Sequence, residues 1–171
     1  MVQALPYKDI KFSTEIKIVE ILETDDNADT GHIVEVDLSF PKEIHERSKQ
    51  LPPCPDTIIP KEEWFSEFQK ELKINTKSKS KCPKLIPQFH EHLNYCIHYT
   101  LLKYVVKELG VQIDTVHNVV EFKQSKWMQP YIEGNNKLRT MAKHDFEKDF
   151  FKLMNNAVFG KTMQNVRHRT Q

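Results

Sequence analysis

Asp145-Phe146-Glu147-Lys148-Asp149-Phe150-Phe151-Lys152-Leu153-Met154-Asn155-Asn156-Ala157-Val158-Phe159-Gly160 contains no proline, and its apolar residues recur at helical spacing. At about 100° per residue, Lys148, Lys152, Asn156 and Phe159 fall within one quadrant of a helix. Phe146, Phe150, Leu153, Met154 and Ala157 fall on the opposite side, where they are expected to dock on a core. The first face thus aligns two cations, an amide and an aromatic ring, with Gly160 just beyond. Positive charge suits phosphates, a flat ring suits a base, and a glycine leaves room for a base pair. A nucleoside triphosphate is the ligand such a face would hold.

An ordinary solvated surface is the competing reading. Asp145 and Asp149 each precede a lysine by three residues, which is ion-pair spacing. Two details oppose it. Lys148 and Lys152 are one turn apart and repel each other, a cost that an anionic ligand would remove. Phe159 lies on the polar face, where a solvated helix gains nothing from a ring.

The spacing Lys152-x-x-x-Asn156-x-x-Phe159-Gly160 resembles the fingers motif of family B DNA polymerases, Lys-x-x-x-Asn-Ser-x-Tyr-Gly. The longer run from Asp145 to Met163 is similar to the protein-primed branch, in particular the polymerases of Maverick/Polinton transposons and related viruses. Three more segments match in the same order: Gly31-His32-Ile33-Val34-Glu35-Val36-Asp37-Leu38, Asn94 through Leu109, and Val119-Val120-Glu121-Phe122-Lys123-Gln124-Ser125-Lys126-Trp127. The resemblance covers nearly the whole chain.

It implies a DNA-directed DNA polymerase that works on a primer-template and deoxynucleoside triphosphates. Lys152 would contact the triphosphate, with Lys148 one turn behind. A further phosphate contact would come from Arg139 or Lys143, with Arg139 preferred. Asn156 would contact the nucleotide or the templating strand. Phe159 would pack on the nascent base pair, Gly160 would let that pair approach, and Lys161 would add a contact to the DNA backbone. Ala157 stands where the family usually has serine and Phe159 where it usually has tyrosine, so two hydroxyls are lost.

Phosphoryl transfer in such enzymes uses two carboxylates that hold Mg2+ ions about 3.5–4 Å apart. The family takes one aspartate from Asp-x-x-Ser-Leu-Tyr-Pro, before this stretch, and the other from an Asp-Thr-Asp-like hairpin well after it. The chain contains no Asp-x-Asp. Its start, Met1-Val2-Gln3-Ala4-Leu5-Pro6-Tyr7, resembles family sequence just after the first motif, and Gln171 follows soon after the fingers motif. Asp37-Leu38-Ser39-Phe40-Pro41 mimics the first motif one residue short, which would turn the following side chains to the opposite face. Asp37 is therefore expected to end an edge strand, stopped by Pro41. The expectation is an internal polymerase fragment or decayed copy, with nucleotide and template contacts but no metal carboxylates, inactive alone. The alternative is a non-enzymatic, transposon-derived module that binds nucleic acid or protein.

Composition sets the outer bounds. A length of 171 residues suits one domain or slightly more, and 39% hydrophobic content allows a core of ordinary size. The net charge of +1 gives no global attraction to DNA. From Lys137 onward, however, basic residues outnumber acidic ones, with Arg167 and Arg169 near the end, and local basicity is what steers phosphate. No run approaches the ~20 apolar residues of a membrane span, and the N-terminus lacks the plan of a secretory signal. The three cysteines, Cys54, Cys82 and Cys96, are an odd number, as expected of reduced thiols. An intracellular location is the resulting expectation, and the resemblance implies a nuclear or virus-associated one. Cys82, His90, His92, Cys96 and His98 match none of the common zinc spacings and read as isolated polar strand residues.

Working back toward the start, Trp127, Tyr131, Leu138 and Met141 mark a first fingers helix interrupted near Gly134, and Asp145 is the N-cap candidate of the second. Val111 to Phe122 reads as a strand, Leu101 to Leu109 as a helix with Gly110 at its C′ position, and Tyr95 to Tyr99 as a strand. Asn75 to Lys84 alternates lysine and serine as a flexible insertion, and Lys61 to Leu72 reads as one helix. Five prolines in residues 41–60 predict an extended loop. Gly31 to Phe40 is the clearest strand, with Val34, Val36, Leu38 and Phe40 on one face and Ile33, Glu35, Asp37 and Ser39 on the other. The acidic turn of residues 24–31 ends at Gly31, which could take positive φ, and residues 8–23 read as a strand and a short helix.

The expected fold is α+β: a partial polymerase palm, with an antiparallel or mixed sheet and a packed helix, followed by two-helix fingers. Residues 1–41 would be palm strands, 42–93 a Pro/Lys-rich insertion, 94–125 a palm strand-helix-strand, and 126–171 the fingers. In protein-primed relatives a comparable insertion contacts the terminal protein, which makes that protein an implied partner.

Overall fold

The computed structural model describes residues 2–15, 17–76, 82–162 and 164. The fold is α+β, with a four-stranded antiparallel sheet and six α-helices among the described residues. In chain order these are β1 (Leu5–Phe12), α1 (Ile18–Glu23), β2 (Thr30–Ser39), α2 (Lys42–Ser48), β3 (Asp56–Ile58), α3 (Glu67–Asn75), β4 (Lys84–Ile86), β5 (His92–His98), α4 (Tyr99–Tyr104), β6 (Gln112–Ser125), α5 (Gln129–Met141) and α6 (Asp145–Thr162). The strand order of the main sheet is β1-β6-β2-β5, and β3 and β4 form a separate antiparallel pair. The chain divides into two compact units: Phe12–Glu23 with His32–Val120, and Met1–Lys11 with Thr24–Gly31 and Glu121–Gln171.

The larger unit is built on the alternation of β2. Val34, Val36, Leu38 and Phe40 are buried, as expected, and pack with Ile97, Tyr99, Leu102, Val105 and Val119. The alternate residues face polar partners on β6. Asn118 Nδ2 donates to Glu35 Oε2 at 2.7 Å, His117 Nε2 lies 2.8 Å from Asp37 Oδ1, and Ser39 Oγ donates to Asp114 Oδ1 at 2.9 Å. β2 is therefore an interior strand, flanked by β6 and β5, where an edge strand was expected.

Asp37 also fixes a β-bulge. Val36 pairs with Tyr95 but Leu38 pairs with His92, so β5 carries one extra residue. Asn94 absorbs it at φ 53°, and its backbone N–H donates to Asp37 Oδ1 at 2.8 Å. This amide first, and His117 second, hold the Asp37 carboxyl below its ordinary pKa. The bulge shifts the alternation of β5, so that His92 joins Ile97 on the buried side.

α4 continues as a π-helical turn, Val105–Leu109, and ends where Gly110 takes φ 87°, the left-handed C-terminal position expected of it. Gly31 differs: its φ is not positive, and it sits inside β2. Residues 41–60 also depart from the extended loop. Prolines act at the positions they occupy, and Pro41 stands at the N-cap of α2, where a missing N–H costs nothing. The proline-free run that follows is helical and buries Ile44 in the core. The helix expected over residues 61–72 is split into a 3-10 turn, Glu62–Trp64, and α3. Ser66 starts α3 with a capping box, in which Gln69 N donates to Ser66 Oγ and Ser66 N donates to Gln69 Oε1. Most of the lysine-serine stretch, residues 77–81, lies outside the described residues.

Candidate functional site

In the smaller unit, α5 and α6 form an antiparallel hairpin joined by residues 142–144. α5 begins with Pro at its first turn, a position that tolerates the missing N–H. It is continuous through Gly134, without the expected interruption, since a helix-interior glycine is unfavourable by only about 1 kcal/mol. α6 starts one residue away from the expected cap. His144 O accepts the first helical bond from Lys148 N at 3.2 Å, so His144 holds the cap position and Asp145 lies in the first turn. Its carboxylate there complements the positive end of the helix dipole. Glu147 Oε2 ties down the connection by accepting from Lys143 N at 3.1 Å.

The face of α6 that meets α5 is not the one expected. Phe151, Met154, Asn155 and Val158 are half-buried. Of the five residues expected to dock, only Met154 is covered. Phe146, Phe150 and Leu153 are 82%, 47% and 63% exposed, and Ala157 is exposed too. The helix is turned about its axis by about a quarter turn from the expected orientation. An amide clamp accounts for the turn. Asn135 Nδ2, on a buried residue of α5, donates to Asn155 Oδ1 at 2.9 Å, and Asn155 Nδ2 donates to Asn136 Oδ1 at 3.0 Å. The uncovered rings line a shallow groove of about 280 Å³ with Leu138 and Met141.

Lys148, Lys152, Asn156 and Phe159 form an exposed strip along α6, as the helical spacing predicts. Lys148 Nζ pairs with Asp145 Oδ1 at 3.0 Å. Lys152 has no ionic partner among the described residues, although Asp149 stands at pairing distance in sequence. Phe159 is 55% exposed. Gly160 lies within α6 and not beyond it, and a Cβ added there would meet nothing within 4 Å. Lys161 Nζ donates to Gln164 Oε1 at 2.7 Å. The Asn135–Asn155 and Lys143–Glu147 contacts set a register that places Arg139 level with Phe151 and Lys152, on the exposed last turn of α5. Arg167 and Arg169 lie outside the described residues.

The residues considered for metals are dispersed. His90 stacks on Trp64, His92 is buried between Phe40 and Tyr95 with its Nδ1 2.8 Å from His90 O, and His98 Nδ1 contacts Thr100 Oγ1 at 2.7 Å. Among the described residues, no three His, Cys, Asp or Glu side chains converge on a metal position. Asp37 Oδ1 accepts from the bulge amide and lies 2.8 Å from His117 Nε2. Asn155 is the residue that the sequence reading passed over. Its signal was the recurrence of an Asn-Asn pair, a poor helix former, in the middle of both helices. Comparison with family models, curated proteins and solved structures finds no match for this chain.

Proposed function

We propose that this chain is the nucleotide-binding part of a family B DNA polymerase of the protein-primed branch, with part of its palm. On this reading α6 is the fingers helix. Lys152 neutralises the triphosphate of the incoming deoxynucleotide, assisted by Lys148 and by Arg139 from α5. Asn156 and Phe159 meet the nucleotide and the base pair, and Gly160 leaves space for that pair. Lys161 follows the DNA backbone. Carboxylates contributed from elsewhere in the polymerase hold the Mg2+ ions, so this chain alone does not extend a primer.

One observation carries the reading. The packing of α6 on α5 leaves an unpaired lysine, an amide and an uncovered ring on consecutive turns of one strip, beside a helix-interior glycine for which the fold itself has no steric use. Titration of the chain with a deoxynucleoside triphosphate tests it. Lys152→Ala should cost about 1.5–3 kcal/mol of binding, as expected for a charge-assisted contact, with the fold intact by circular dichroism. Equal affinity for both proteins would overturn the assignment, as would primer extension by the chain alone with Mg2+ for the absence of activity.

The uncovered apolar strip of Phe146, Phe150 and Leu153 favours a second reading, a non-enzymatic module that docks another protein. On that reading Phe150→Ser abolishes association while Lys152→Ala leaves it unchanged.

A further inference from the structure

We infer that Asn155 is a positioning residue for the strip that holds the triphosphate, a claim that rests on the nucleotide reading above. Its side chain points into the α5–α6 seam and not along the strip. Both ends of its amide are used there: Oδ1 accepts from Asn135 at 2.9 Å and Nδ2 donates to Asn136 at 3.0 Å. A single contact permits a helix to roll about its axis. Two contacts of opposite polarity to adjacent residues of the neighbouring helix do not, because any roll lengthens at least one of them.

Asn135 is nine-tenths buried, so a roll would also leave its amide without a partner. Lys152 and Asn156 flank Asn155 on the same helix, one turn before it and one residue after it. The azimuth that the clamp fixes is therefore the azimuth at which those two side chains are presented. The remaining seam contacts, Phe151, Met154 and Val158, are apolar and set the distance between the helices without specifying rotation. An apolar residue at position 155 would fill the seam but leave the buried Asn135 amide unpaired and specify no rotation; the Asn155 amide specifies one orientation.

The test measures dATP affinity in the presence of Mg2+ for the full chain, together with exchange of the side-chain amides by NMR. Asn155→Leu and Asn135→Ala should each weaken dATP binding about tenfold, and the double variant should be no worse than either single one. The salt dependence should stay as in the wild type, whereas Lys152→Ala lowers it. The Asn135 side-chain amide should lose its slow exchange in Asn155→Leu. Far-UV circular dichroism and thermal unfolding of each variant check that the α5–α6 hairpin is retained, and Asn155→Gln, which keeps both the donor and the acceptor, should recover part of the affinity lost in Asn155→Leu.

Wild-type affinity in Asn155→Leu, with Lys152→Ala impaired, overturns the positioning role and leaves the nucleotide reading standing. Weakened binding in Asn155→Leu but not in Asn135→Ala makes Asn155 a direct contact and also overturns it. No difference between wild type and Lys152→Ala overturns the nucleotide reading itself, and the positioning role falls with it.

Discussion

Substituting Gly31 by alanine isolates a steric requirement of the smaller unit. Gly31 is buried within β2, and a Cβ built there would lie 2.5 Å from Phe122 Cε2, 2.5 Å from Gln124 Oε1 and 2.9 Å from Gln124 Cδ. Neither neighbour can swing away. Phe122 is 1% exposed, and the Gln124 amide donates to Ala28 O at 2.8 Å. Inserting a methyl into such a contact costs about 1–3 kcal/mol. Loss of the bond from Gln124 to Ala28 adds about 1 kcal/mol. The smaller entropy of the unfolded alanine chain returns about 0.4–1 kcal/mol, since φ at Gly31 is one that alanine can adopt. The net is about 2 kcal/mol, which lowers Tm by roughly 4–8 °C at this chain length. Thermal unfolding followed by far-UV circular dichroism measures it, with Gln124→Ala in both backgrounds. Because shortening Gln124 removes part of the clash, the double variant should lose less than the sum of the single ones. A Gly31→Ala protein as stable as the wild type, or strict additivity with Gln124→Ala, would refute the steric account.

The same substitution should act differently at the other glycines. Gly110→Ala should destabilise by about 1 kcal/mol, because φ 87° is costly for a residue with a Cβ. Gly134→Ala should instead stabilise by about 0.5–1 kcal/mol, since an open helix interior gains from alanine; urea unfolding of the pair checks the opposite signs. Asp37 has a folded pKa depressed below its ordinary 3.8, so its contribution is present above that value and is lost as pH falls through the folded pKa. Asp37→Asn keeps an acceptor for Asn94 but has no charge to titrate, so its acid unfolding below about pH 4 should be shallower than that of the wild type; superimposable acid limbs would remove Asp37 from the account. Burial pushes the Cys54 thiol up to about 11, whereas Cys82 and Cys96 are exposed. Iodoacetamide at neutral pH should therefore modify Cys82 and Cys96 well before Cys54, as read by peptide mass spectrometry.

Legibility in the sequence followed the range of the interactions involved. The alternation of β2 could be read because one side chain in two meets the same core, and Gly110 because a helix end needs its left-handed residue within one position. α2 is not evident from the five prolines of residues 41–60, because each proline restricts only itself and its predecessor and the run after Pro41 is free to be helical. The bulge at Asn94 escaped because its cause lies 57 residues away, in the carboxylate of Asp37. Gly31 was read as a turn residue because sequence shows the freedom of a glycine but not the ring and amide that require its smallness.

That Lys148, Lys152, Asn156 and Phe159 share one exposed face of α6 was legible in the sequence, but how that face lies against α5 was not. A hydrophobic pattern selects the greasiest face of α6 as the buried one, which would point Lys152 and Asn156 straight away from the rest of the hairpin. The amides of Asn135, Asn136 and Asn155 pair across another face, and that pairing satisfies the buried Asn135. Turning the helix by about a quarter turn moves the Lys152 strip from the back of α6 to the flank of the α5–α6 seam. By register, Arg139 on α5 stands at the level of Lys152 along the hairpin. The misplaced apolar stripe and the flank position of the Lys152 strip are two results of one rotation, and the polar clamp that sets it costs hydrophobic burial of Phe146 and Phe150.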